Sequence, residues 1–216
     1  MAKLVLWDFD GPIADSIRGY HALYDRICEQ LGVEKQWEDL ESFREWVSGN
    51  WRENISRLGL TERLGETEPL HNDYLQEMPE IQSSVANTLA TIFMKGYNNA
   101  VLSGQSESYL NRVLKDKGLL GFFHRVLGCD SLSTEKFNPE TLREARELFD
   151  AGPDETVYIA DTVQDIEFAH QDCSRVIAVT YGWHPEAKLQ AYRPDELVGS
   201  SLEIPSKLDE LFTKVH

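Results

Sequence analysis

The chain has 216 residues, of which 41% are hydrophobic and 10% aromatic. This is enough apolar material for the core of one large domain, and it excludes a disordered tail. Its 21 Lys and Arg residues stand against 37 Asp and Glu residues, giving a formal net charge of −16. Such an acidic surface argues against nucleic acid or an anionic membrane as the main partner.

The sequence also bears on the cellular compartment. No apolar run approaches the roughly 18 residues of a membrane span, and the apolar stretch before Asp8 is too short for a signal-peptide core. The three cysteines, Cys28, Cys129 and Cys173, are too widely spaced for a disulfide framework or a zinc site. We therefore expect a cytoplasmic protein, with Cys129 and Cys173 as thiols of the core.

The first predicted element is a strand over Leu4–Trp7, a short apolar run typical of strands buried on both faces. Strand patterns are then nearly absent from residue 14 to residue 78. Apolar residues recur there at steps of three and four, most clearly from Ile17 to Leu31, where Gly32 ends the run. The sequence predicts an all-helical insertion over residues 14–78, directly after the first strand.

Residues 79–216 alternate between strand and helix patterns. The predicted strands are Ala100–Leu102, Arg125–Leu127, Val157–Ala160 and Val176–Val179. The helices between them include one that begins at Asn138-Pro139, an N-cap followed by a first helical residue. This alternation predicts an α/β fold: a Rossmann-like, three-layer core with a mostly parallel sheet, built from residues 1–13 and 79–216 around the helical insertion.

Polar residues stand where the predicted strands end. The first strand ends in Asp8-Phe9-Asp10-Gly11, the second in Ser103-Gly104, and the fourth in Asp161, with Asp165 four residues later. Lys136 precedes the helix that leads into the fourth strand. Because the carboxyl ends of parallel strands share one edge of the sheet, we expect four carboxylates, a hydroxyl and an ammonium group to meet there.

Each of these acids taken alone is an ordinary turn residue. Four carboxylates brought together without a cation would repel one another strongly. A hard divalent cation with oxygen ligands relieves that repulsion, and Mg²⁺ is the cation that fits best. The cluster therefore predicts a magnesium site.

The four segments match, in order, the four motifs of the haloacid dehalogenase superfamily. With its helical insertion after the first motif, the chain resembles the capped members that include phosphoglycolate phosphatase and β-phosphoglucomutase. It departs from the usual family pattern at three loop positions, with Pro12 in place of Thr, Phe137 in place of Pro and Ala160 in place of Gly. None of these departures removes a catalytic side chain.

The resemblance implies a role for each catalytic residue. Asp8 would attack phosphorus and form an aspartyl phosphate, while Asp10 would protonate the leaving oxygen and then activate water. Ser103 and the amide of Gly104 would hold the phosphoryl group, and Lys136 would place a positive charge beside it.

The resemblance also implies the ligands of the metal. Mg²⁺ would be bound by Asp8, by the backbone carbonyl of Asp10 and by Asp161. Asp165 would either support the metal site or orient Lys136.

The function these roles imply is a Mg²⁺-dependent phosphatase that hydrolyses a small phosphorylated metabolite, as phosphoglycolate phosphatase does. An acid at position 10 distinguishes such enzymes from the superfamily's dehalogenases, which need neither metal nor acid there, and from its ATPases, which usually have Thr. A sugar phosphomutase shares every core residue and remains an alternative. A non-catalytic binding protein on the same fold is a further one.

The insertion is expected to close over the site and limit the partner to a small phosphorylated metabolite. Arg52, beside Ser48-Gly49-Asn50, is the candidate for binding the non-reacting end of the substrate. Arg44 and Arg57 are interpreted as solvated helix charges paired with nearby Glu residues, and His184 as a loop residue. The oligomeric state is expected to be a monomer or a homodimer.

Overall fold

A sheet of six parallel strands lies at the centre of the computed structural model, which describes residues 3–213. Numbered along the chain, the strands of the described residues, six of which form this sheet, are β1 (Leu4–Trp7), β2 (Ala14–Asp15), β3 (Glu80–Ile81), β4 (Asn98–Leu102), β5 (Arg125–Leu127), β6 (Thr156–Ala160), β7 (Arg175–Val179) and β8 (Glu196–Val198). The order in the sheet is β5-β4-β1-β6-β7-β8. The outermost residues of the predicted core, 1–2 and 214–216, lie outside the described residues.

The helices follow the predicted alternation. They are α1 (Ile17–Leu31), α2 (Leu40–Trp46), α3 (Trp51–Arg57), α4 (Leu64–Tyr74), α5 (Val85–Met94), α6 (Glu107–Asp116), α7 (Pro139–Glu147), α8 (Val163–Gln171), α9 (Glu186–Ala191) and α10 (Ile204–Thr213). Gly32 ends α1 with φ +64°, and the Asn138 side chain caps α7 by accepting from the amide of Glu140. Among the described helices, none combines the length and the apolar character that a membrane crossing requires.

The sheet is buried on both faces, as its apolar strands predict. In β1, Val5 and Trp7 pack into a cluster with residues of α5, α6 and α10, whereas Leu4 and Leu6 pack with residues of α7 and α8 on the other face. All four side chains are fully buried. The predicted three-layer α/β fold is confirmed.

All five predicted strands are present, with small differences at their starts. β4 begins two residues earlier than predicted, at Asn98, because the polar pair Asn98-Asn99 extends an otherwise apolar run. β6 and β7 each begin one residue earlier. The edge strand β8 was not predicted, because Val198 is its only fully buried residue and leaves no apolar run to detect.

A short antiparallel ribbon joins the helical segment α1–α4 to the sheet domain. β2 pairs with β3, with Ala14 opposite Ile81 and Asp15 opposite Glu80. The chain therefore leaves for α1 and returns from α4 along adjacent strands. The helical segment buries its own apolar cluster, with Tyr24 and Phe43 among its least exposed side chains.

Candidate active site

The predicted site residues converge at the end of β1. At this strand the direction in which the chain adds strands to the sheet reverses, because β4 and β5 lie on one side of β1 and β6, β7 and β8 lie on the other. Asp8 directly follows β1, and its amide donates to the carbonyl of Ile159 at 2.9 Å. Ser103 follows β4, and Asp161 follows β6. Because β1 lies between β4 and β6, these three residues share the edge of the sheet at which ligand sites of open parallel sheets form.

Lys136 bridges two of the buried acids. Its Nζ lies 2.8 Å from Oδ1 of Asp8 and 2.9 Å from Oδ1 of Asp165. Burial alone would lower the pKa of Lys136, but attraction from Asp165 and Asp8 outweighs it and raises that pKa. The ammonium group is therefore charged at neutral pH, and it holds the Asp8 carboxylate in place.

Asp8 and Asp161 carry the electrostatic cost of this arrangement. Burial raises the pKa of Asp8 from its usual 3.8 to about 7, even though Lys136 opposes the shift. Burial also raises the pKa of Asp161 well above its usual value, and repulsion from Asp8 and Asp165 adds to the effect. A further positive charge, in addition to that of Lys136, would therefore stabilise the ionised carboxylates of Asp8 and Asp161.

The donor set fits a divalent metal ion. Asp8, Asp161 and Asp165 each offer an oxygen, and these oxygens lie within 4.8 Å of one another. Oδ2 of Asp161 accepts from the amide of Trp183, whereas its Oδ1 is buried without a hydrogen-bond partner among the described residues. A buried carboxylate oxygen without a partner is costly unless a cation binds it, and a cluster of carboxylates is typical of Mg²⁺ sites.

Asp165 is more fully bound than its neighbours. Its Oδ1 accepts from the hydroxyl of Tyr158 at 3.0 Å as well as from Lys136, and its Oδ2 accepts from the hydroxyl of Thr162. Asp165 is thus placed to orient Lys136, and it also has an oxygen close enough to those of Asp8 and Asp161 to support a metal site.

The Asp10 carboxylate lies at the same cavity as Asp8 and Lys136, but its oxygens do not belong to the close group formed by Asp8, Asp161 and Asp165. Its Oδ2 accepts from Nε2 of Gln105 at 3.1 Å and from the hydroxyl of Tyr20 at 3.5 Å. Burial raises the pKa of Asp10, partly offset by the Gln105 hydrogen bond. Sequence reasoning missed both partners: Tyr20 belongs to the apolar stripe of α1, and Gln105 carries no motif of its own.

Glycines allow the backbone to approach Asp161 closely. At Gly11, where φ is +100°, a Cβ atom would lie 1.8 Å from Oδ2 of Asp161. A Cβ atom at Gly182 would lie 2.1 Å from the same oxygen. Any side chain at either position would displace the carboxylate.

We expect Gly11→Ala to destabilise the protein by about 2 kcal/mol or more, because it combines a positive φ with an overlap that forces the fully buried Asp161 carboxylate out of its position. Urea unfolding measures the change. Gly65→Ala is the matched control, since Gly65 lies in α4 with open space around it, and we expect that change to be neutral or slightly stabilising. Equal stability of the two variants would contradict the close approach.

A cavity of about 260 Å³ opens over these residues. Asp8, Asp10, Ser103, Gly104 and Lys136 line its side on the sheet domain. The Ser103 hydroxyl accepts from the amide of Gln105 at 3.2 Å. The cavity is of a size that suits a small molecule.

The helical segment provides the opposite side of the cavity. Its lining residues are Tyr20, Tyr24, Ser48, Gly49, Asn50, Trp51, Arg52, Asn54 and His71. Arg52 thus lies at the cavity, as expected, but it also forms an ion pair with Glu135 of the sheet domain, with Nη2 and Oε1 2.9 Å apart. Glu135 was not singled out from the sequence.

Two residues interpreted as unremarkable join the helical segment to the loop after β7. Arg44 pairs with Glu41, as expected, but it also donates from Nε to the carbonyl of Trp183 at 2.8 Å, so it is more than a solvated helix charge. His184 is fully buried: Nδ1 accepts from the amide of Val163, which leaves Nε2 as the donor to the carbonyl of Val47. Burial lowers the pKa of His184 to about 4, so the ring is neutral. Arg57 pairs with Glu53, as expected.

Phe137, which stands where the family usually has proline, adopts a backbone conformation that excludes proline. Its φ is +74°, which the ring of proline does not permit. The Phe137 ring lies 5.0 Å from Nζ of Lys136 and packs at 5.8 Å against Phe168. Phe137 is thus compatible with the backbone that this chain adopts beside Lys136, whose ammonium group stays in the site.

Comparisons with known proteins agree with this arrangement. A family model described as haloacid dehalogenase-like hydrolase matches residues 5–179. The phosphoglycolate phosphatases of Nitrosococcus oceani and Aquifex aeolicus are each 24% identical to the chain, the first over 96% of this chain and 97% of its own, the second over 97% and 96%. A haloacid dehalogenase-like hydrolase from Streptococcus pneumoniae superimposes with a TM-score of 0.82 at 19% identity, over 95% of this chain and 98% of its own.

Proposed function

The chain belongs to the haloacid dehalogenase-like hydrolases, and from this premise we propose that it is a Mg²⁺-dependent phosphatase of small phosphorylated metabolites. The observation that carries the proposal is the buried Asp8 carboxylate, which Lys136 holds at the cavity and which lies close to Asp161, whose Oδ1 has no hydrogen-bond partner among residues 3–213. The two relatives described above are both named phosphoglycolate phosphatase, which supports the same class of reaction.

In this proposal Asp8 is the nucleophile. Its carboxylate attacks phosphorus, the bond to the leaving oxygen breaks, and an aspartyl phosphate forms. Asp10, whose raised pKa favours the protonated acid, donates its proton to the leaving oxygen. The resulting carboxylate then takes a proton from the water that hydrolyses the aspartyl phosphate, with Gln105 and Tyr20 holding Asp10 in position.

The phosphoryl group needs hydrogen-bond donors and positive charge around its oxygens. Ser103 and the amide of Gly104 supply donors, and Lys136 supplies charge beside Asp8. Mg²⁺, held by Asp8, Asp161 and the backbone carbonyl of Asp10, would neutralise charge between the nucleophile and the phosphoryl oxygens when bound. Asp165 keeps Lys136 directed at Asp8.

We further propose that the helical segment, residues 14–78, acts as a cap on a core of residues 1–13 and 79–216. Arg44 and His184 already connect it to the sheet domain, and it forms one side of the cavity. A closed cap excludes bulk water and large substrates. Together with the acidic surface, a closed cap supports a small metabolite as the partner, rather than nucleic acid or a membrane. We also propose that the protein is cytoplasmic and that it is a monomer or a homodimer.

Hydrolysis of p-nitrophenyl phosphate tests the reaction. We expect phosphate release that depends on added Mg²⁺ and stops with EDTA. Undiminished activity after exhaustive chelation would contradict the metal requirement, and no release under any condition would contradict the phosphatase proposal. Conversion of a sugar phosphate into its isomer, without release of phosphate, would identify the phosphomutase instead.

Mg²⁺ should also stabilise the fold. At a concentration about a hundredfold above its Kd, a ligand adds about 2.7 kcal/mol to the free energy of unfolding, so we expect Tm to rise by about 5 to 10 °C. Asp161→Asn should remove most of this rise, whereas Asp116→Asn, which changes an exposed acid at the end of α6, should keep it. A rise of the same size in both variants would place the metal elsewhere.

The stabilisation should depend on pH in a defined direction. The raised pKa values of Asp8 and Asp161 mean that these carboxyls hold protons in the metal-free fold at acidic pH. Mg²⁺ must displace those protons, so its effect on Tm should be larger at pH 8 than at pH 5. In metal-free protein the raised pKa of Asp8 makes the free energy of unfolding fall as pH rises from about 4 to about 7.

A further inference from the structure

The charge of Arg52 is already matched by a residue of the sheet domain. Its Nη2 lies 2.9 Å from Oε1 of Glu135, and its Nε donates to Oε2 of the same carboxylate at 3.3 Å. The guanidinium also stacks on the ring of Trp51, 4.8 Å from the ring centre. Two neighbours therefore fix the position of Arg52. Trp51 stacks on its guanidinium, and Glu135 accepts hydrogen bonds from its Nε and Nη2.

This pairing leaves no uncompensated cation at the non-reacting end of the cavity, as far as its described lining residues show. Lys136, the other strong cation in the lining, lies between two carboxylates at the reacting end. His71 also lines the cavity, and burial lowers its pKa, so its ring is neutral at neutral pH. The part of the substrate that leaves with the oxygen would thus meet polar groups of no net charge.

We propose that Glu135 is a specificity-determining residue that, by neutralising Arg52, selects phosphate monoesters whose leaving group is neutral and bears a hydroxyl. The proposal rests on the phosphatase function proposed above and names the substrate class of that site. This substrate class differs from the one that the relatives' name, phosphoglycolate phosphatase, indicates for them, because the leaving group of phosphoglycolate carries a carboxylate.

The selection works by repulsion as well as by attraction. A carboxylate on the leaving group meets the negative charge of Glu135 when it approaches Arg52, whether it displaces Glu135 from Nε and Nη2 or accepts from Nη1 beside it. A hydroxyl can accept from Nη1, which donates to no partner among residues 3–213, while the ion pair stays intact. The side chains of Arg52 and Glu135 are 51% and 68% exposed, so the ion pair adds little to the stability of the fold. Its effect is on the choice of substrate, because the negative charge of Glu135 offsets the positive charge of Arg52.

Two esters of equal length separate the two kinds of leaving group. 2-Phosphoglycolate carries a carboxylate where 2-hydroxyethyl phosphate carries a hydroxymethyl group. We expect the wild-type protein to hydrolyse 2-hydroxyethyl phosphate with the higher kcat/KM. The Glu135→Gln variant should shift the ratio of the two kcat/KM values toward 2-phosphoglycolate by about tenfold or more, the size expected of one charge-assisted hydrogen bond gained.

Matched variants distinguish selection from a general change of charge. Glu140→Gln removes the same charge from an exposed residue of α7 that pairs with Arg143, and it should leave the ratio unchanged. Adding Arg52→Gln to Glu135→Gln should abolish the shift, because the gain depends on the freed guanidinium. Unfolding temperatures of all variants should agree within a few degrees.

The outcomes that overturn the proposal are distinct from failure of the phosphatase function. A wild-type preference for 2-phosphoglycolate, an unchanged ratio in Glu135→Gln, or a shift that survives the loss of Arg52 would each overturn the selection while leaving the phosphatase intact. Absence of Mg²⁺-dependent phosphate release from p-nitrophenyl phosphate and both esters would overturn the phosphatase proposal, and this proposal with it.

Discussion

Replacement of Asp8 by Asn should lower kcat by about a thousandfold or more, the size of loss seen when other catalytic nucleophiles are removed. Asn has the shape of Asp without its negative charge, so it can still accept a hydrogen bond from Lys136 but cannot attack phosphorus. Initial rates on p-nitrophenyl phosphate at saturating Mg²⁺ measure the effect.

The same variant should fold normally. Removing one buried acid relieves repulsion on Asp161, so the free energy of unfolding without metal should stay constant or rise. A folded Asp8→Asn protein with near-native turnover would rule out Asp8 as the nucleophile. A variant that lost activity because it unfolded would show a large fall in Tm, which circular dichroism detects.

Lys136→Met should reduce both activity and stability. It removes a positive charge from the phosphoryl site, which we expect to cost about a hundredfold or more in kcat. It also leaves Asp8 and Asp165 buried without their partner, and breaking a buried ion pair costs about 3 to 5 kcal/mol when the remaining charge cannot be neutralised. Urea unfolding in EDTA isolates the stability effect from metal binding.

This loss of stability should depend on pH. Without the ammonium group the pKa of Asp8 rises further, and at pH 5 the carboxyl is neutralised by a proton at little cost. We therefore expect greater destabilisation at pH 8 than at pH 5. Lys95→Met, which breaks the exposed pair with Asp209, is the control and should cost about 1 kcal/mol or less at either pH. Equal losses of stability in Lys136→Met and Lys95→Met would contradict the buried ion pairs of Lys136 with Asp8 and Asp165.

The sheet was predictable because its central strands are continuous apolar runs, and much of the candidate site was predictable because Asp8, Ser103 and Asp161 directly follow those strands. Leu4–Trp7 and the acids after it illustrate both points. The ribbon β2–β3 escaped prediction because two residues are too few to show a period. The expectation that Cys129 and Cys173 are core thiols is wrong, since both are exposed in loops.

The rest of the site depends on groups that only the folded chain brings together. The bond from the Trp183 amide to Asp161 is made by the backbone, so no residue type in the sequence marks it. Tyr20 has the spacing of a core residue, and it is both a core residue and a partner of Asp10. Glu135 and Arg52 are 83 positions apart, and their pairing follows only from how the helical segment meets the sheet.

The ribbon β2–β3 also bears on how this architecture can diversify. Because Ala14 lies opposite Ile81, the residues between them form the loop of a single hairpin that extends from the sheet domain. The entropy of closing a loop grows only with the logarithm of its length, so each doubling costs about 0.6 kcal/mol. Helices can therefore be added, lost or exchanged within this loop with little penalty to the sheet domain that carries Asp8, Asp10 and Asp161. Under the proposed function, substrate selectivity can then change in evolution while the residues proposed for the reaction stay the same.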